Sequence, residues 1–221
     1  MMLLSESYKK RLLELAGLGE DAIDTIKKNL FQRTNSKLIN KYLNKHPDWF
    51  NEKEKLALQI QSGQVEKYDG DLYLTGTQIQ SLGNLKSVGG YLYLKGTQIQ
   101  NLGNLESVGG YLYLIDTQIQ SLGNLESVGG NLDLKGTQIQ SLGNLKSVGG
   151  SLELKGAQIQ SLGNLESVGG SLFLTDIQIQ SLGNLKSVGG YLNLENTPNL
   201  SWENIPRHLW GKVKNKEGRP E

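Results

Sequence analysis

Apolar residues recur in two rhythms along this chain, and the change of rhythm marks its parts. Up to residue 62 the spacing is helical. In "SESYKKRLLELAG", Leu12 and Leu13 share a face with Tyr8 or Leu15 until Gly17 and Gly19 end the run. "EDAIDTIKKNLF" offers Ile23, Ile26 and Leu30 at helical spacing, and "NSKLINKYLNKH" offers Leu38, Tyr42 and Leu43 ahead of Pro47. Asn51 and Glu54 have the spacing of a capping box for a helix running toward Ile60. Residues 1–62 therefore read as a helical N-terminal cap.

From residue 63 to 197 a unit of twenty residues repeats, a period in the solenoid range. Within one unit Leu92 and Leu94 alternate with Tyr91 and Tyr93, which predicts a short strand with one buried face. Thr97 and Ile99 continue the inward set; Leu102, Leu105 and Val108 follow three residues apart, predicting a tight, 3₁₀-like return. Glycine pairs from 89–90 to 189–190 mark the bend into each strand, where a Cβ would clash or φ must be positive; Gly83 and its counterparts mark a second bend. "VEKYDG" aligns Val65, Tyr68 and Gly70 with Leu85, Val88 and Gly90, so the first coil enters through a half-repeat. Seven strands at about 4.8 Å each predict a rod about 30 Å long. Residues 198–221, "PNLSWENIPRHLWGKVKNKEGRPE", read as a C-terminal cap anchored by Trp202 and Trp210, followed by a disordered polar tail. Pro198 lacks a donor, and the stack is expected to stop there.

The spacing Leu92-x-Leu94-x-x-Thr97-x-Ile99 resembles the conserved segment of leucine-rich repeats, with Thr97 at the usual asparagine position and Gly89 in place of the family's first leucine. "SLGNLKSVGGYLYL" also resembles coils of the receptor L-type solenoid domains, and very regular versions of the repeat look like proteins of bacteria and their phages. The resemblance implies an α/β solenoid, a right-handed coil stack with one parallel sheet, and a scaffold used mainly for binding.

Buried and outward columns separate by what varies. The Thr column becomes Ala157 and Ile177, as a buried shelf permits, and Thr side chains there are expected to satisfy turn backbone groups. The Asn column (Asn84 to Asn184) predicts a ladder that bonds its own turn, and the Gln columns (Gln78 to Gln178, Gln80 to Gln180) predict self-pairing amides, with a ligand comb as the other reading. Lys86, Glu106, Glu126, Lys146, Glu166 and Lys186 read as charge pairing on a solvated face. The outward strand positions vary most, and their first three coils gather Tyr73, Tyr91, Tyr93, Tyr111 and Tyr113, flanked by Lys95 and Ile115. Rigid tyrosines bury a large area at small entropic cost, which suits a binding patch; the alternative is that Tyr favours strands and stacks along the ladder. These seven residues are the candidate partner-binding site.

Composition narrows the function. The net charge of +1 argues against a dedicated polyanion binder, and sparse local basic charge disfavours nucleic acid. The helical zone carries 11 basic and 8 acidic residues and the repeat zone 7 and 11, which leaves room for the helices themselves to bind a target. With no Cys there is no disulfide, thiolate metal site or cysteine-dependent ubiquitin ligase chemistry. His46 and His208 lie in opposite caps, and no phosphate loop, dinucleotide fingerprint or metal-ligand spacing is present. Asp133 and Glu153 are ladder neighbours on a flat face, weak grounds for glycoside hydrolysis. The expectation is a cytoplasmic, non-catalytic protein-recognition scaffold with no cofactor and no membrane partner. Carbohydrate or surface binding and self-association are the alternatives.

Overall fold

The computed structural model describes residues 20–32 and 35–219; the helix expected within residues 5–17 lies outside them. Among the described residues three helices come first: α1 (Glu20–Phe31), α2 (Ser36–Lys45) and α3 (Glu52–Gln61). Asn35 caps α2 by accepting the Leu38 N–H at 3.1 Å. The predicted capping box of α3 is present, with Asn51 and Glu54 each accepting the other's backbone N–H at 2.9 Å. Their apolar faces (Leu30, Ile39, Leu43, Leu58, Ile60) are buried in one continuous core with the leucines of the repeat.

The repeat is a parallel β-solenoid in which every register step is twenty residues. It carries two sheets, where one was expected. One has seven strands, Lys67–Tyr68 and then Ser87–Val88 through Ser187–Val188; the other begins at Leu72–Tyr73 and runs through Leu192–Asn193. The glycine pair lies between them and turns the chain, so each coil pairs with its neighbours before the bend as well as after it. The backbone ladder continues through the bend, with Gly109 N–H on Val88 O at 2.8 Å and Gly110 N–H on Gly90 O at 2.9 Å. The half-repeat is real: Tyr68 pairs in register with Val88.

From Leu72 onward all the inward leucines, isoleucines and valines of the coils are buried, as are the Thr positions, while Val65 of the half-repeat is partly buried. Thr77, Thr97, Thr117, Thr137 and Thr197 donate their hydroxyls to the carbonyl three residues back at 2.7–2.8 Å. At Ala157 the backbone N–H keeps that contact, bonding Leu154 O at 3.0 Å. Thr137 makes both bonds to Leu134 O, so Thr137→Val retains the N–H partner and loses only the hydroxyl. Urea denaturation should place its cost within about 1 kcal/mol.

The stack does not stop at Pro198. Two 3₁₀ segments, Trp202–Asn204 and Arg207–Lys212, carry the chain back, and Val213–Lys214 joins as the eighth strand of the second sheet beside Leu192–Asn193. Proline lacks the N–H of a pairing strand, but a later segment takes the place of the next coil, its Lys214 carbonyl accepting the Leu194 N–H at 3.1 Å. The Trp202 indole donates to Glu217 O at 2.8 Å, and its ring meets Trp210 edge-on at 5.5 Å.

Candidate functional site

Outward positions of the second sheet are held by the coil spacing itself. Tyr73, Tyr93 and Tyr113 are in direct register, and their rings stack with centroids 4.7 Å apart at each step. A second row, Tyr91 and Tyr111, stacks at 4.9 Å. The rows meet edge to face, Tyr91 on Tyr93 at 6.1 Å and Tyr111 on Tyr113 at 6.0 Å. Five of the seven candidate residues thus form one cluster. Lys95 lies beyond the strand and is exposed; Ile115 is half-buried, its carbonyl accepting the Gly96 N–H.

Space for the second row comes from the glycine pair. A Cβ on Gly110 would lie 2.2 Å from Tyr91 Cδ1, and one on Gly130 1.9 Å from Tyr111 Cδ1, so each ring lies over the next coil's second glycine. Elsewhere the same column carries short polar side chains that bond the next coil: Asp71 accepts the Tyr91 N–H at 2.8 Å, Asn131 the Ser151 N–H at 2.8 Å, Ser151 the Ser171 N–H at 3.0 Å. Tyrosine gives up that bond in favour of the rings.

Stacking leaves its electrostatic mark. The Tyr113 phenol is held above its ordinary value of 10.0 by burial first, then by Tyr93 and Tyr111. Tyr73 moves the same way, through desolvation and then the Asp71 carboxylate, 3.4 Å from its hydroxyl. A raised phenol pKa means that this contribution to stability is intact below the ordinary value and is lost as pH rises through the folded one.

The other expectations divide. Lys86–Glu66, Lys146–Glu126 and Lys186–Glu166 form exposed ion pairs across single coil steps at 3.3, 2.9 and 2.9 Å. The Asn row bonds the preceding coil instead of its own turn, as in Asn84 Nδ2 to Gly63 O (3.2 Å) and Asn104 Nδ2 to Asn84 Oδ1 (3.4 Å). Coils about 4.8 Å apart bring a neighbour's acceptor within the amide's reach. Among the described residues only one Gln–Gln rung forms, Gln158 Nε2 to Gln138 Oε1 at 2.9 Å. His46 stacks on Trp49 at 3.8 Å, and burial with nearby Lys45 lowers its pKa. His208 contacts Lys186 O at 2.8 Å, so both histidines serve the caps. Among the described residues no cluster of His, Asp or Glu could hold a metal, and no helix is long and apolar enough to cross a membrane.

Sequence reasoning passed over Tyr191. Among the described residues it is the most exposed large aromatic side chain, at 59%, with Lys214 Nζ 5.5 Å from its ring centre. Its column membership was visible in the sequence; its cation comes from the strand beyond Pro198, where the stack was expected to stop. No family model, curated protein or solved structure matches the chain.

Proposed function

We propose that the solenoid is a non-catalytic protein-recognition scaffold of the leucine-rich-repeat kind, and that the tyrosine cluster on the second sheet is its contact surface. The observation that carries this reading is the double row of stacked rings. Tyr93 has Tyr73 on one face and Tyr113 on the other, so its two π-faces are already covered. A sugar ring or base would need such a face to stack on. What the cluster offers outward is ring edges and phenol hydroxyls on a rigid frame, the chemistry of protein hot spots. Tyr73 at 52% and Tyr91 at 37% exposure provide the rim. Lys95 adds a cation beside them.

The test is capture from lysate of the native host by the full chain, read by mass spectrometry against the Tyr93→Ala/Tyr113→Ala variant. The wild type should retain a protein that the variant loses. The variant loses four ring contacts, each worth about 1 kcal/mol beyond its area, so it should melt roughly 8–16 °C lower, and capture is compared at a temperature where both proteins are folded. Equal capture by both proteins, or none specific to the wild type, overturns the proposal.

A further inference from the structure

The third side of the solenoid, the Gln-Ile-Gln-Ser-Leu-Gly run, does not stack evenly. Bridges join Ser81 to Asn101, Ser121 to Ser141 and Ser161 to Ser181, but none joins Asn101 to Ser121 or Ser141 to Ser161. The glycines report the same alternation independently. A Cβ on Gly103, Gly143 or Gly183 would lie 2.8, 2.4 or 2.5 Å from the preceding coil's carbonyl oxygen, whereas one on Gly123 or Gly163 meets nothing within 4 Å. Asn144 and Asn184 donate their backbone N–H groups across closed steps at 3.0 Å; across the open step after Gly143, the longer Asn164 side chain makes the bond instead, at 3.3 Å. At the Ser-Leu-Gly corner the coils are thus paired, with an opening every two coils; ahead of that corner Gln158 still crosses the step, its N–H on Ile139 O at 3.0 Å and its Nε2 on Gln138 Oε1 at 2.9 Å.

A cleft lies at each opening. The first, about 700 Å3, includes Gln100, Asp116, Gln118 and Gln120 in its wall; the second, about 560 Å3, includes Gln140, Gln158 and Gln160. The side-chain amides of Gln100, Gln118 and Gln120 have no partner among the described residues, nor has the Asp116 carboxylate. Asp116 is fixed in a left-handed conformation (φ 56°) that glycine adopts in four of the other coils (Gly76, Gly96, Gly136, Gly156) and Asp176 and Asn196 in the remaining two, and it is the one carboxylate of this column in the wall of the first cleft.

The geometry points to a binding site for an extended neutral oligosaccharide running along the stack, with one sugar seated in each cleft. Free primary amides offer donors and acceptors together, which matches hydroxyl groups that both give and accept, and a lone carboxylate can accept from a pair of adjacent hydroxyls. The charge is too sparse for a polyanion. Two coils separate the clefts by about 10 Å, a step comparable to two sugars of a flat, β-linked chain that turns the same face to a surface at every second residue. No aromatic side chain is among the cleft residues, so each seat alone is weak and the tie between seats supplies the affinity. This site is separate from the tyrosine cluster and stands or falls without it.

The test uses the full chain labelled with 15N, with cellobiose, cellohexaose and the curved maltohexaose as probes and side-chain amide resonances as the readout. Cellohexaose should shift the Gln118 and Gln120 amides, with an affinity at least about tenfold above cellobiose. Gln118→Ala/Gln120→Ala, both exposed positions, should lose that binding and keep the melting temperature, while Tyr93→Ala/Tyr113→Ala should keep the binding. Absence of shifts with cellohexaose, equal affinity for the two cello-oligosaccharides, equal or tighter binding of maltohexaose, or unchanged binding by the glutamine variant each overturns the assignment.

Discussion

Gly129→Ala should lower the melting temperature by roughly 6–12 °C, the consequence of about 3 kcal/mol or more of overpacking. A Cβ at this position would lie 2.1 Å from Gly109 O and 2.9 Å from its carbonyl carbon, and both are backbone atoms of the coil beneath. Neither can swing aside as a side chain would. Relief requires prying two coils apart where Gly129 N–H reaches Val108 O and Gly130 N–H reaches Gly110 O, each at 2.8 Å. Gly149 and Gly169 stand in the same relation to the coils below them, so strain cannot be passed along the stack. The control is Gly163→Ala. That glycine has φ +57° and nothing within 4 Å of its absent Cβ, so alanine there pays only for the left-handed backbone, about 1–2 kcal/mol. Thermal melts of the two variants, monitored by far-ultraviolet circular dichroism, should rank Gly129→Ala clearly below Gly163→Ala. The reverse order would mean that backbone conformation, and not the closeness of coils, explains the paired glycines.

That distinction shows where sequence reading was sufficient and where it was not. The glycine pair was legible as a bend, but sequence offered two causes for it, and the structure selects the steric one: φ is positive at Gly83 and its counterparts and not at 89–90. The inward columns were legible because a twenty-residue period superimposes them, and substitutions such as Thr to Ala157 and Ile177 report burial from within one chain. Two sheets in place of one were not legible, since Ser-Val is too short to show a period of two and its pairing lies wholly between coils. The open and closed steps of the third side were hidden for a stronger reason. The Gln-Ile-Gln-Ser-Leu-Gly segment is almost invariant, so identical residues adopt alternating spacings, and no local sequence signal distinguishes Gly123 from Gly143. The tyrosine columns could be placed on the outward face from alternation alone; that their rings would cover one another's faces follows from side-chain orientation across coils, which spacing does not specify.

Gln61→Leu should detach the helical cap from the solenoid, at a cost of about 2–5 kcal/mol. Gln61 ends α3 and is a polar side chain, yet it is buried to 3% exposure. Its amide works in both directions. Nε2 donates to the carbonyl of Phe31, the last residue of α1, and Oε1 accepts the Gln80 N–H of the first full coil at 2.8 Å. One side chain therefore satisfies backbone groups from a helix end and from the solenoid, and leucine of similar size would strand both. Terminal coils of a solenoid expose apolar edges that only a cap can cover, so the damage should begin at this end. Native-state hydrogen exchange should show amides of α2 and α3 losing protection first in the variant, while those of the central coils, such as Leu132 and Leu152, keep theirs. Uniform loss across the chain would show instead that cap and coils unfold as one cooperative unit. Unchanged protection in α3 would show that the buried amide does not join them.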